Sequence, residues 1–330
     1  MTNPRRRLDR GERHTHVLEH TAPPTADQPG IGVGRANGSC GELLQGVLHP
    51  DRHFLVTLPI QRGSVAVFEP GGDDITVVPG HKSKARHLAS AMVARSRVLR
   101  GGRLTVRSEL PEGKGLASST ADLVATARAV ADAEGRTVGL TELEADLRAI
   151  EPSDGVMYSG TVAYFHREVR LHTRLGALPP LTIVTGDEGG VVDTVEFNRT
   201  EPSFGPGYQR EYAGLLDELG VAIVRGDVTA IGAVATRSAV LSAAFRHRPH
   251  LDSTIREARA LGAVGVVVAH SGTTTGILLS ENDRDYRSKL AAAEQLCASF
   301  AHAVSVHHTR RPMRGHRLPH ERIPSRELPA

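Results

Sequence analysis

Pro111-Glu-Gly-Lys-Gly-Leu-Ala-Ser-Ser-Thr-Ala-Asp122 joins an alternating stretch, Gly102-Arg-Leu-Thr-Val-Arg-Ser108, to an alanine-rich one that closes at Gly135. The alternation of Leu104, Val106 and Ser108 predicts a strand that Pro111 ends. Ser118, Ser119 and Thr120 then suit the start of a helix, Asp122 suits its first turn, and Gly135 suits its C-terminal stop. Glycines at 113 and 115 allow a sharp turn and close approach of a ligand to the backbone. The first amides of a helix lack internal partners and carry the positive end of its dipole, so an anion there gains hydrogen bonds and field together. Hydroxyls at 118–120 can meet phosphate oxygens or Mg²⁺. Lys114 sits inside the turn and is one of only four lysines in a chain with forty basic residues. A mobile ammonium beside triphosphate oxygens is a reasonable role for it. An ordinary strand–turn–helix junction would carry the same Gly and Ser residues.

Outward from this loop, the chain mixes strands and helices without a regular βαβ period, which predicts an α+β fold. Short β-rich runs are expected in GVLHP-DRHFLVTLPI, GSVAVFEP and ITVVP. Leu88, Met92, Val98 and Leu99 predict an amphipathic helix from 83 that stops at Gly101-Gly102. A helix over TELEADLRAIE is expected to start on a Thr141 cap and to end before Pro152. TVAYFHREVRL and LPPLTIVTG read as strands. Helices follow at 208–225, 227–245 and 252–261. AVGVVVAHSGTTTGILLSE reads as strand, turn and strand, and 283–301 as a last helix. Pro179, Pro180, Pro202 and Pro206 mark a boundary near 175–205. The expected organisation is therefore a tail over 1–30, an N-terminal domain over 31–180, a C-terminal domain over 181–306 and a second tail over 307–330.

The chain has 330 residues, 39% of them hydrophobic, enough to bury a sizeable core. Its pI of about 9.1 suggests nucleic acid as a partner until the charge is located. Residues 1–30 hold five Arg against four acids and residues 307–330 six Arg against two, so the body over 31–306 is mildly acidic. With only 4% aromatics, no basic, aromatic-interleaved surface is expected, and nucleic acid is an unlikely partner of the folded part. Both tails are rich in Pro and His and show no apolar period, so they are expected to be disordered. No run of about eighteen apolar residues predicts a membrane span. The arginine cluster near the N-terminus lacks the apolar segment of a secretory signal. Cys40 and Cys297 are too few for a disulfide framework. The expectation is a soluble cytoplasmic protein.

Familiar phosphate motifs are missing. GKGLASS lacks the spacing of a Walker A loop, the HRD, DFG and APE elements of protein kinases do not occur, and GIGVGRANG has the wrong glycine spacing for a dinucleotide fingerprint. PEGKGLASSTAD instead resembles the phosphate loop of the GHMP kinases, small-molecule kinases whose loop often reads P-x-x-x-G-L-G-S-S-A. Arg35-Ala-Asn-Gly-Ser-Cys-Gly-Glu42 resembles their N-terminal motif, and Ala269-His-Ser-Gly-Thr-Thr-Thr-Gly276 their C-terminal glycine-rich motif. Within the family, SCGELLQG (39–46), KGLASSTAD (114–122), IEPSD (150–154) and VAHSG (268–272) resemble the branch that phosphorylates L-threonine for cobalamin assembly. That branch also tends to carry Ala where this chain has Ala117.

The resemblance implies an N-terminal domain like domain 2 of ribosomal protein S5, a ferredoxin-like C-terminal domain, and ATP with Mg²⁺ in the cleft between them. It places phosphate on Pro111, Gly113, Lys114, Gly115, Leu116, Ala117, Ser118, Ser119 and Thr120. Mg²⁺ falls to Ser119 and Glu151, and catalysis to Asp154, beside the substrate hydroxyl, and to Lys114. Pro152 separates the two carboxylates of IEPSD, so that they can point separately at metal and substrate; swapped roles, or simple capping of a helix end, stay open. Ser39, Glu42, Ser271 and Gly272 are the further substrate-contact candidates, against a turn network for the first two and a hairpin connection for the last two. Asp187, Asp193 and Asn198 could meet a substrate ammonium but read more simply as a solvated loop, and His270 as a packed core residue. The implied substrate is an amino alcohol, L-threonine first, with serine, homoserine or another small alcohol as alternatives. A sensor that binds ATP without chemistry is the rival of another class. The oligomeric state, a homodimer included, stays open.

Overall fold

The computed structural model describes residues 29–189 and 204–309. Ten strands form one mixed sheet in the order β10-β7-β9-β8-β1-β2-β4-β3, with β5 paired to β2 and to β6. The strands are β1 Gly32–Leu48, β2 Arg52–Pro70, β3 Ile75–Val78, β4 Gly102–Ser108, β5 Thr161–Phe165, β6 Arg170–Gly176, β7 Leu181–Asp187, β8 Gly265–Val268, β9 Thr274–Ser280 and β10 Ala303–His308. Among the described residues seven α-helices pack on them: α1 Ser83–Arg95, α2 Ser118–Ala133, α3 Leu140–Arg148, α4 Pro206–Arg225, α5 Val228–Ala243, α6 Leu251–Ala260 and α7 Tyr286–Phe300.

The α+β expectation holds, and the strand–turn–helix reading around 111–122 is met by β4 and α2. Helix α2 is buried almost all round because it lies directly on β1. A Cβ on Gly32 or Gly34 would overlap the carbonyl oxygens of Ala129 and Ala125 respectively. Gly32 and Gly34 of GIGVG therefore admit a helix rather than a dinucleotide. Ala125, Ala129 and Ala133, four residues apart on one helical face, are the matching surface.

Several element boundaries differ from the sequence reading. DRHFLVTLPI and GSVAVFEP, expected as separate runs, are one strand, β2, whereas GVLHP ends β1 and ITVVP forms β3 as expected. Strand β2 pairs along most of its length with β1, whose first half, over GIGVGRANG, was not expected as a strand. Register shifts between Asn37 and Leu44 let both strands continue through positions that look like turns. Helix α1 ends at Arg95, not at Gly101, because Ser96 turns extended and its Oγ accepts from the amides of Val98 (3.2 Å) and Leu99 (2.9 Å). Helix α3 begins after Gly139, whose carbonyl accepts the Leu143 amide at 2.9 Å, so Thr141 lies inside the helix instead of capping it.

Residues 307–309, expected in the C-terminal tail, complete the sheet. His307 and His308 pair with Ile183 and Thr182, and Thr309 bridges to Ile60. Burial of His307 and Thr309 marks the segment as folded. Residues 1–28 and 310–330 of the tails, and Asp193 and Asn198, lie outside the described residues.

Two apolar clusters are present. The larger surrounds α2, β1 and β2; the smaller, with Val184, Leu251, Val266, Ile277, Leu279 and Cys297, lies among β7–β9, α6 and α7. Strand pairing between β1 and β8 is a single residue pair, Glu42 with Val268. Side-chain bonds reinforce this seam: the Gln45 amide donates to Ser238 Oγ at 3.0 Å, and Gln45 Nε2 donates to the Val268 carbonyl at 3.3 Å.

Candidate active site

The loop before α2 takes left-handed conformations at Gly113 (φ 72°), Gly115 (φ 77°) and Ala117 (φ 54°). Ala117 stands at the N-cap and no side chain caps the helix, so Ser118, Ser119 and Thr120 are its first helical residues rather than its cap. The leading amides are left for a ligand, in the arrangement that favours an anion.

Two other motifs fold against this loop. The Ser39 amide donates to the Leu116 carbonyl at 3.2 Å. Gly272 lies against Lys114 and Gly115, where a side chain would collide with backbone. Arg248, buried with its guanidinium pushed down to about 10 chiefly by that burial, holds the glycine turn; its Nη2 donates to the carbonyls of Ala269 (2.5 Å) and Gly272 (3.3 Å). Thr274 Oγ1 donates to the Lys114 carbonyl at 2.8 Å and completes the joint.

The cleft so formed has a volume of about 130 Å³. Gly113, Gly115, Leu116, Ala117, Ser118, Ser119 and Thr120 line it, together with Glu151, Asp154, Glu42 and Ser271. Glu151 follows α3, its amide still bonded to the Leu147 carbonyl at 3.0 Å. One oxygen of its carboxylate accepts from Ser119 Oγ and the other from Lys84 Nζ. The Asp154 amide donates to Thr120 Oγ1 at 3.2 Å, which fixes this carboxylate beside the helix start. Burial, and then the charge of Glu151, pushes the Asp154 carboxyl up to about 6. Glu42 is 4% exposed, and its Oε2 has no hydrogen-bond partner among the described residues. Burial and the Asp154 charge raise its pKa well above the usual carboxylate range.

Four expected residues do not line the cleft. Pro111 is exposed at the loop's start, and Ser39 and Gly272 hold the loop through backbone contacts. Lys114 directs its ammonium to Asp187 Oδ2, 2.7 Å away. Asp187 also accepts from Thr273 Oγ1 (2.5 Å) and the Gly189 amide (3.0 Å), so the residue read as part of a solvated loop is the partner of the loop lysine.

Other residues join that the sequence reading had not selected. Leu55, His166 and His270 also line the cleft. His270, expected in the core, bonds Gln45 Oε1 through Nδ1 at 3.0 Å and packs edge-on against His166 with ring centroids 4.9 Å apart. Lys84 enters from α1. Lys82 borders an adjoining recess of about 250 Å³ that shares Lys84, Gly113, Ser118 and Ser119 with the cleft. Lys82 Nζ meets Glu112 Oε1 at 2.5 Å and Asp122 Oδ2 at 2.6 Å. Three of the chain's four lysines thus gather around one loop, and their scarcity was the available signal for Lys82 and Lys84.

The donor set suits Mg²⁺ better than a metal held wholly by protein. Ser119 and Glu151 offer hydroxyl and carboxylate oxygens, and Glu151 already carries a cation, the Lys84 ammonium. Among the described residues no three His, Cys, Asp or Glu side chains converge as a metal cage. Mg²⁺ accompanying a nucleotide needs only one or two protein carboxylates, because phosphates and water supply the rest.

Two family models match the chain in order: GHMP kinases N terminal domain over residues 83–160 and GHMP kinases C terminal over residues 221–302. The chain belongs to the GHMP kinases and is an ATP-dependent phosphotransferase with an alcohol as acceptor. It is similar to the L-threonine kinase of Citrobacter freundii, 27% identical over 259 residues that cover 77% of this chain and 88% of that one. The L-threonine kinase of Salmonella typhimurium is 25% identical over 265 residues, 77% of this chain and 85% of that one. In fold, the crystal structure of homoserine kinase from Cytophaga hutchinsonii superposes with a TM-score of 0.65 at 14% identity, covering 88% of this chain and 97% of that one. No helix among the described residues is long and apolar enough to cross a membrane.

Proposed function

We propose that the chain transfers the γ-phosphoryl group of ATP to the side-chain hydroxyl of L-threonine, giving O-phospho-L-threonine and ADP. The observation that carries this reading is the meeting of the α2 N-terminus, the Ser119–Glu151 pair and Asp154 in one cleft. Similarity to two L-threonine kinases over most of the chain supports the choice of substrate. On this reading the product serves cobalamin assembly, as the sequence resemblance implies.

Phosphoryl transfer asks the protein mainly to position the reactants and to stabilise charge. The amides of 118–120 and the loop glycines grip the β- and γ-phosphates, and the adjoining recess takes the nucleoside end. Lys84 leaves Glu151 for the phosphate oxygens when nucleotide arrives. Ser119 and Glu151 would hold Mg²⁺, which would neutralise charge on the phosphates. Asp154 accepts the proton of the attacking hydroxyl; its raised pKa makes it a better base than an ordinary aspartate at neutral pH. Lys114 acts at one remove, tying the loop to Asp187 in the C-terminal half.

ADP release measured against threonine, serine, homoserine and non-amino alcohols tests the assignment. Threonine is expected to give the highest kcat/KM. Because a methyl group is worth about 1–3 kcal/mol in a pocket, the margin over serine is roughly 10- to 200-fold. Turnover of threonine no better than of serine and homoserine rejects the named substrate. ATP binding without turnover of any alcohol would support the sensor instead.

A further inference from the structure

The cleft brings together groups of opposite character. The uncapped α2 amides and Lys84 suit anions. Glu42 and Asp154 face the same space, which Leu55, His166, His270 and Ser271 also line. Glu42 differs from Glu151 and Asp187, whose carboxylates are held by side chains and amides. Glu151 is held by Ser119 and Lys84, and the paired Asp187 by Lys114, Thr273 and Gly189. Glu42 Oε2 is buried with no hydrogen-bond partner among the described residues.

A buried carboxyl oxygen without a partner is costly, and a fold that keeps one needs an external donor to make up for it. The backbone, not the side chain, holds Glu42 in place: Gly41 turns at φ 72°, and residue 42 pairs with Thr57 on β2 and with Val268 across the seam. Its carboxylate is left for a ligand. The nearness of Asp154 excludes a second anion and favours a cation, which lowers the cost of ionising both acids.

We infer that Glu42 is the receptor for a substrate ammonium, and that the two neighbouring acids, Glu42 and Asp154, restrict the enzyme to cationic amino alcohols. This rests on the reading of the cleft as the kinase site, but not on threonine being the substrate. An amino acid is thereby oriented, with its ammonium toward Glu42, its hydroxyl toward Asp154 and its carboxylate away from both.

The test uses the full chain and three acceptors of one carbon skeleton type: L-threonine, 1-amino-2-propanol (no carboxylate) and 3-hydroxybutyrate (no ammonium). ADP release should favour 1-amino-2-propanol over 3-hydroxybutyrate by about 100-fold or more in kcat/KM. Glu42→Gln should raise KM for both amine-bearing acceptors by roughly tenfold or more, leave kcat within about threefold and leave KM for ATP unchanged. Equal use of 3-hydroxybutyrate and 1-amino-2-propanol by the wild type overturns the inference, as does a variant that loses kcat at unchanged KM. If the variant does not fold, the comparison of acceptors by the wild type decides alone. Should threonine fail while other amino alcohols react, the proposed substrate falls and the ammonium receptor stands. Should only non-amino alcohols react, the receptor falls and the kinase reading stands.

Discussion

Gly272 lies so close to Lys114 that a single methyl group at 272 would overlap the Lys114 carbonyl oxygen and stand 2.6 Å from the Gly115 amide nitrogen. These residues are 158 positions apart, and their contact makes one cleft of a loop from the N-terminal half and a turn from the C-terminal half. Each side of the contact is backbone, which cannot rotate out of the way.

Gly272→Ala should therefore displace the phosphate loop rather than unfold the chain. The expected result is a rise in KM for ATP with at least a tenfold fall in kcat/KM, since a misplacement of about 1 Å can cost 100-fold. Circular dichroism should stay near wild type. Unchanged ATP kinetics would show that the contact does not position the loop.

Asp154 gives a prediction in pH. Its carboxyl titrates near 6, above its ordinary 3.8, because it is buried and lies near Glu151. The ionised form is the base, so kcat/KM should be flat above about pH 7 and fall about tenfold per unit below 6. Asp154→Asn should lower kcat by about 100- to 10,000-fold and abolish this limb while ATP still binds. An acid limb that persists in the variant would assign the titration to another group.

Lys82 should matter for stability. Its ammonium lies between Glu112 and Asp122, and the Asp122 side chain is only 6% exposed. Lys82→Met leaves that carboxylate with Ser64 Oγ (2.6 Å) as its remaining short contact to a side chain. Loss of one partner of a buried pair should destabilise the fold by about 3 kcal/mol, read by urea unfolding. Lys82→Met combined with Asp122→Leu should recover much of the loss. A single variant as stable as wild type would mean that water already compensates Asp122.

What could be read from the sequence depended on how far apart the partners lie along it. The loop at 113–120 is contiguous, and Glu151 and Asp154 are three residues apart, so both were visible as patterns. Lys84, Leu55, His166 and His270 come from one helix, two strand regions and a turn, and only the sheet order brings them together. The glycines at 32 and 34 were visible, but their purpose was not, because it depends on which helix packs over β1. Strand β10 was missed because its alternating segment, Ala303–His308, runs straight into Arg- and Pro-rich sequence, so its end read as tail. Lys114 shows the converse: its position in the motif suggested a phosphate contact, whereas the fold supplies Asp187 at 2.7 Å.

The seat of α2 on bare β1 backbone bears on how the amides at its start behave under load. No layer of deformable side chains separates that helix from the strand at Gly32 and Gly34, so a polyanion pulling on its leading end pulls on the sheet itself. Dipoles mounted this firmly do not need to reorient as charge migrates during group transfer, and stiffness here is obtained by omitting atoms rather than adding them.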